Sequence, residues 1–342
     1  MSYPSAQVPI TVLMPVYNAE KYILEAVNSI LNQTHQDFIL MIINDGCTDG
    51  TMEIIEGIDD PRIQVIHNEQ NLKLIASLNK GLSLVETEFV ARMDADDFSF
   101  PERLEVQLAF MRANPDVGAC GTWYDNIWPD GSERKGGRYL PSHKEILFKN
   151  LYQLHIIHGT TLIRMSVIRD NNLKFDASFP HAEDYDFFTR MAAVSKLYNI
   201  QKPLYKIRHH GESVSKKFSD MQESGSNKVK KSLFKQIGIE VSDEDLYLYR
   251  EFMHQNYSVL KTTDRKRILE LLSNLIELNK QSNYLPCEYL RKELATRVLH
   301  MFNQLANSGK GLLNELRSFK HIKLTDSPRL FFTTHLKVLA GV

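Results

Sequence analysis

From Pro9 to about residue 125 the chain alternates between two hydrophobic periods, and few folds satisfy both. Short β-rich runs lie at Ile10–Met14, Phe38–Ile43, Ile63–His67, Phe89–Met93 and Val117–Thr122. Between them, apolar residues recur at helical spacing: Ile23, Val27, Ile30 and Leu31 within 20–33, a segment over 49–56, and Leu74, Leu78, Leu82 and Val85. Phe38–Ile43 is apolar throughout, as a strand buried on both faces must be. Strand–helix alternation of this kind predicts an α/β fold with a doubly wound, mostly parallel sheet. A further helix is expected from Pro101, with Ser99-Phe100-Pro101-Glu102 read as a capping box. Residues 123–138 read as a loop or hairpin.

In such sheets ligands sit beyond the carboxyl ends of the strands. Asn18, Asp45 and Asp94 all fall at predicted strand ends. Asp94-Ala95-Asp96-Asp97 follows the apolar run Phe89–Met93 directly and places hard oxygen ligands at the sheet edge. Crowded carboxylates repel one another, and a divalent cation bridging to a diphosphate relieves that repulsion.

Composition sets the remaining bounds. The 342 residues are 43% hydrophobic, enough for a sizeable core, and no run reaches the roughly 18 apolar residues of a membrane span. Residues 1–9 lack the basic start and apolar centre of a secretion signal. The cysteines (Cys47, Cys120 and Cys287) are scattered without metal spacing, which fits a reducing, cytoplasmic location. The net charge of -1 hides an asymmetry. Residues 1–215 carry 20 basic and 28 acidic side chains, and residues 216–342 carry 21 and 14. The second part has long helical stretches at 245–253, 265–278 and 289–305, so we expect one domain over 1–215 and a helical C-terminal region over 216–342. Its basic character is compatible with peripheral contact at an anionic membrane face, and Lys320, Lys323, Arg329 and Lys337 beside Leu330-Phe331-Phe332 suit an interfacial segment. A packed terminal helix accounts for that segment equally well. No basic–aromatic module points to nucleic acid.

Several motifs occur in order: Met14-Pro15-Val16-Tyr17-Asn18, Ile43-Asn44-Asp45-Gly46-Cys47-Thr48-Asp49, Ala91-Arg92-Met93-Asp94-Ala95-Asp96-Asp97, Pro101-Glu102-Arg103-Leu104, His158-Gly159-Thr160-Thr161, Ala182-Glu183-Asp184-Tyr185-Asp186, and Arg208-x-His210-x4-Ser215. Over residues 9–215 the chain resembles the family 2 glycosyltransferases of GT-A fold, of the bacterial surface-polysaccharide type. The resemblance implies an inverting, metal-dependent transfer from a nucleotide sugar, a UDP-hexose or UDP-N-acetylhexosamine, to a glycan or lipid-linked saccharide. It places Pro15, Tyr17, Asn18 and Asn71 around the nucleotide and gives Asp45 the uracil N–H to accept. Asp94 would lie near the ribose and the metal, Asp96 would bind the Mn or Mg ion, and His210 would reach it, with His209 the competing position. Asp184 would be the general base with Glu183 beside it, and His158 and Gly159 would line the donor and acceptor pocket. The chain departs from the family's pattern at Cys47, Lys73 and Leu78.

Two other functions compete. A nucleotidyltransferase also uses a doubly wound sheet and a metal, but expects a glycine-rich basic loop where Pro15-Val16-Tyr17-Asn18 stands. A non-catalytic relative would keep the fold and bind nucleotide sugar without turnover. The absence of a Gln-x-x-Arg-Trp motif argues against a processive synthase.

Overall fold

In a computed structural model the described residues are 8–210, 219–306, 319–321 and 323. Ser215 of the last motif, and Arg329, Lys337 and Leu330-Phe331-Phe332, lie outside them.

Two compact units are present: residues 1–146 with 154–226, and residues 147–153 with 227–342. The first holds a nine-stranded sheet. Strands β1 (Ile10–Val16), β2 (Phe38–Asn44), β3 (Ile63–His67) and β4 (Phe89–Arg92) run parallel in the order β3-β2-β1-β4. The sheet continues from β4 through β8 (Leu162–Arg164), β6 (Val117–Ile127), β9 (Lys196–Arg208) and β5 (Phe98–Ser99), while β7 (Glu133–Lys135) pairs with β6. Long parallel ladders, β6 on β9 included, hold most of the paired residues, and the antiparallel pairings are short. The sheet is therefore mixed and mostly parallel.

Helices α1 (Ile23–Leu31), α2 (Thr51–Glu56), α3 (Lys73–Leu84) and α4 (Arg103–Ala113) connect the first strands. Ile23, Val27 and Ile30 are fully buried against Ile10, Val12, Leu40 and Phe89, as the helical stripe predicts. Burial of such side chains stabilises by about 1.5–3 kcal/mol each. The hairpin expected within 123–138 forms between β6 and β7, closed by Trp128 N–H donating to the Ser132 carbonyl at 2.9 Å.

The capping box expected at Ser99–Glu102 does not form. Ser99 belongs to β5, α4 starts at Arg103, and Glu102 makes no side-chain cap. The helix start is capped from a distance by Gln33. Its Oε1 accepts from Leu104 N–H at 3.0 Å, and its Nε2 donates to Ser29 O, Ser99 Oγ and Phe100 O. A buried amide with four partners outcompetes a local cap, because each of those backbone groups would otherwise be buried without a bond.

Helix α5 (His143–Asn150) precedes β8, and α6 (Met165–Asp170) and α7 (Glu183–Ala192) follow it. Helix α8 (Ser219–Ile237) runs through the polar, glycine-containing stretch that follows residue 215, and the units divide at 226/227 within it. Gly225 shows why a glycine stands there: a Cβ would lie 2.9 Å from that of Ala182. The second unit is helical, with α9 (Asp243–Met253), α10 (Thr262–Ser282) and α11 (Cys287–Ala306) close to the expected stretches. Ser242 and Asp245 form a reciprocal capping box at α9, and Asn283 ends α10 at φ 50. No helix among the described residues is long and apolar enough to cross a membrane.

Replacing Gln33 by Met removes four buried bonds at nearly constant volume. Urea unfolding is expected to show a loss of about 2–4 kcal/mol, whereas the neighbouring exposed Asn32→Ala should change little.

Candidate active site at the carboxyl edge of the sheet

The first two parallel strands end side by side, and their exit loops are tied together. Asp45 N–H donates to Val16 O at 2.9 Å. Asn18, in the left-handed region at φ 50, accepts from Thr48 N–H at 2.8 Å, and its own N–H reaches Cys47 Sγ at 3.4 Å. Asn44 Oδ1 accepts from the Gly46 and Cys47 amides, and Gly46 sits at φ 78 with an added Cβ only 3.1 Å from Asn71 N. That turn needs glycine both for its backbone angle and for the closeness of the 70–71 loop. Cys47 substitutes readily here, its thiol donating to Val16 O at 3.6 Å. Pro15 lies in β1 opposite Ile43, while Tyr17 is 51% exposed at the mouth.

Asp45 is buried. Its Oδ1 accepts from Asn68 Nδ2 and from Leu72 N–H, both at 2.8 Å, and Oδ2 has no hydrogen bond among the described residues. One carboxylate oxygen thus fixes the 68–72 loop, and the other could accept a further N–H. Asn71 turns its Oδ1 to Lys73 N–H at 3.0 Å; Lys73 adopts φ 71, an uncommon angle for a side chain of its size.

The acidic loop follows β4. Arg92 is buried, and its Nη2 lies 2.5 Å from Asp94 Oδ1 while Nη1 donates to Met93 O. Asp96 Oδ2 pairs with His210 Nε2 at 2.9 Å. Arg208 braces the loop from β9: its N–H donates to Asp97 Oδ1 and its Nε to Asp96 O, both at 2.8 Å. Burial and the repulsion of neighbouring aspartates push the Asp96 and Asp97 carboxyls above the usual range. His210 stacks on Tyr22 with centroids 5.6 Å apart. His209 turns elsewhere, to Asn126 Oδ1 at 2.8 Å and the face of Trp128 at 4.5 Å. Of the two histidines, His210 is the one on the acidic loop.

Among the described residues no three His, Cys, Asp or Glu side chains converge as a ready metal shell. The 2.9 Å pair of Asp96 and His210 fits a smaller role, two neighbouring protein ligands on a cation whose other positions are filled by diphosphate oxygens and water. Asp94 fits that shell less well, since Arg92 already holds its Oδ1.

The second acidic pair starts α7. Glu183 is buried and Asp184 half-buried, its Oδ1 accepting from Tyr185 N–H at 2.7 Å. Burial pushes the Asp184 carboxyl up to about 7, with the charges of Glu183 and Asp94 adding and backbone amides pulling back. Glu183 is raised by burial too, against the pull of the His181 and Arg92 cations. His158 packs between Phe175 and Phe188, centroids 5.1 and 5.8 Å away, and burial with the nearby Arg92 cation holds it neutral. Gly159 comes within touching distance of the acidic loop: a Cβ there would be 2.9 Å from Asp94 Oδ2.

The sheet edge therefore collects Asn18, Asp45 and Asn71 in one cluster and Asp94, Gly159, Asp96 and His210 in another, with the charge of Asp94 felt at Asp184. Sequence reasoning gave no role to Arg92, Asn68 or Tyr205. A buried arginine just before an acidic run is the signal that could have flagged Arg92, since such a cation needs partners.

A model of glycosyl transferase family 2 matches residues 11–171. An uncharacterized glycosyltransferase of Haemophilus influenzae is 33% identical over 269 residues, covering 74% of this chain and 83% of that protein. The chain belongs to the family 2 glycosyltransferases. A putative glycosyltransferase, EpsE, of Bacillus subtilis is 34% identical over 61% of this chain and 76% of its own. The chondroitin synthase of Pasteurella multocida shares 29% identity over 78% of this chain, which spans only 27% of that protein. The crystal structure of S. aureus TarS 1-349 in complex with UDP-GlcNAc superimposes with a TM-score of 0.58 at 17% identity, over 96% of this chain and 92% of that one. The family 2 enzyme described here shares that fold.

The raised carboxyl of Asp184 has a consequence for stability. Its folded-state value lies above the ordinary 3.8, so its contribution is complete below about pH 4 and is lost as pH rises through about 7. Asp184→Asn, which keeps the acceptor for Tyr185 N–H, should melt higher than the parent at pH 8, with the gap closing toward pH 4. Equal melting curves at pH 8 would contradict the burial of this charge.

Proposed function

We propose that this chain is an inverting, metal-assisted transferase that moves a sugar from a UDP-sugar to a hydroxyl of a glycan or lipid-linked saccharide in cell-surface polysaccharide synthesis. The observation that carries the reading is Asp184: a carboxyl brought to about 7 at the first turn of α7, electrostatically coupled to the acidic loop. A general base works best with a value near the operating pH.

In this reading the acceptor oxygen bonds to the anomeric carbon as the bond to the β-phosphate oxygen breaks on the opposite face. The hydroxyl proton passes to Asp184, and UDP leaves with the bonding electrons. Glu183 keeps the base raised, and Asp45 Oδ2 accepts the uracil N–H. Asp96 and His210 would hold an Mn or Mg ion, which supplies charge neutralisation to the departing diphosphate. His158, held neutral, and Gly159 shape the wall beside Asp94.

The donor class is supported by the S. aureus TarS structures solved with UDP and with UDP-GlcNAc, and the polymer class by the names of the chondroitin and hyaluronan synthases among the relatives. An N-acetylhexosamine is accordingly the first sugar to test. A cytoplasmic enzyme with peripheral contact at the inner membrane face suits a lipid-linked acceptor.

Asp184→Asn is expected to bind UDP as the parent does while UDP release from UDP-sugars in the presence of acceptor falls at least about a hundredfold. The parent's kcat should climb with pH to a plateau above about 7, because the base works only when ionised. Undiminished turnover in Asp184→Asn removes the base assignment, and release of pyrophosphate instead of UDP moves the enzyme to nucleotidyl transfer.

A further inference from the structure

Beneath the acidic loop lies a pair of fully buried side chains with no role in the chemistry just described. Arg103, at the start of α4, is completely enclosed. Its Nη2 donates to Arg92 O at 2.8 Å and to Thr161 O at 3.2 Å, and its Nε donates to Gln107 Oε1 at 3.0 Å. One guanidinium thereby joins the last residue of β4 to the end of the turn that carries His158 and Gly159. Desolvation, aided by the Arg92 cation and opposed by nearby acidic groups, lowers its pKa to about 10, and at that value it stays a cation at physiological pH.

The ring of Tyr205, from β9, lies on that cation, with Cζ 4.9 Å from its centroid. The phenol is equally buried, and its hydroxyl points up into the loop. Asp94 N–H donates to it at 3.1 Å. The buried Asp97 carboxyl lies beside this hydroxyl, and its Oδ1 accepts from Arg208 N–H at 2.8 Å. A Cβ on Gly159 would sit 2.9 Å from this hydroxyl and 2.9 Å from Asp94 Oδ2, so the hydroxyl is closed in on the remaining side. It occupies the centre of the turn Asp94-Ala95-Asp96-Asp97, touching its first and last residues.

We propose that Tyr205, seated on Arg103, is the positioning residue of the acidic loop: its hydroxyl holds the backbone of Asp94 in place against the wall at Gly159 and so fixes the direction in which Asp94 and Asp96 meet the donor diphosphate and its cation. The proposal rests on the reading of this edge as a nucleotide-sugar site. Packing of the ring alone does not require the hydroxyl. A phenylalanine at this position would keep the stacking on Arg103 and lose only the lock.

The test is Tyr205→Phe in the full chain, with three measurements. Mn2+ titration followed by electron paramagnetic resonance, in the presence of UDP, reads the cation site directly. Calorimetry with UDP in EDTA reads the base and ribose contacts around Asp45. Turnover of a UDP-sugar gives kcat and KM. The expected pattern is Mn2+ affinity and kcat each lowered by about 10- to 100-fold, UDP binding in EDTA within about twofold of the parent, and a melting temperature only a few degrees lower. Gly159→Ala presses on the same hydroxyl from the opposite side and should weaken Mn2+ binding in the same direction, with the double variant losing less than the product of the two single losses.

Mn2+ affinity and kcat equal to the parent's in Tyr205→Phe would overturn the positioning role while leaving the transferase reading intact. Parallel loss of Mn2+ binding, metal-free UDP binding and fold would assign Tyr205 to the core alone and also overturn it. A parent protein that binds no Mn2+ with UDP, and releases no UDP from any UDP-sugar, would remove the underlying reading and this inference with it.

Discussion

The structure depends on how buried negative charge is compensated where β4 leaves the sheet. Three carboxyls lie within four residues, Asp97 buried and Asp94 and Asp96 partly exposed, and like charges so close repel one another and favour protonation. The chain answers with donors on three sides: the Arg92 guanidinium at Asp94, the Arg208 main-chain N–H at the Asp97 carboxyl with its guanidinium on the Asp96 carbonyl, and His210 at the Asp96 carboxyl. They come from β4 and from the end of β9, strands far apart in sequence and separated in the sheet by β8 and β6. The mixed half of the sheet therefore exists, in functional terms, to deliver β9 and its Arg208–His210 end to the acidic loop.

Charge imbalance is arranged differently at Asp184. There no arginine among the described residues bonds to the carboxyl, and the first turn of α7 offers its own amides. Asp184, like Asp96 and Asp97, stands above its ordinary range, but those two are held by Arg208 and His210. In the proposed reading the braced loop is the electrostatic anchor and the unbraced acid is the base. The stability sacrificed at Asp184 is small beside the core built by the apolar strands.

Most of the first unit was legible because local and global signals agree there: continuous apolar runs for strands covered on both faces, helical stripes between them, and polar residues at the carboxyl ends. What stayed hidden was whatever depends on distant partners. Strand β9 contains Lys202-Pro203 and several charged residues and pairs with β6 through register shifts around Trp123, so no clean period-2 pattern announces it. Tyr205 and Arg103 are invisible for the same reason, since nothing local marks a tyrosine as the lid on a buried guanidinium. The false capping box at Ser99 failed because Gln33, some seventy residues away, makes better bonds to that helix start. The helical C-terminal stretches were readable from period alone, whereas the continuity of α8 through a polar, glycine-containing segment was not, because Gly225 there serves close packing against Ala182.

Asp45 shows how tightly scaffold and ligand recognition are interwoven at the other end of the pocket. One of its oxygens belongs to the protein, through Asn68 and Leu72, and the other is left over for a guest. A lesion at this position damages architecture and affinity together, and no single assay separates the two. If Asp45 reads the base as proposed, re-engineering the enzyme toward a different nucleobase cannot begin at Asp45 itself; the 68–72 loop must first be given another anchor.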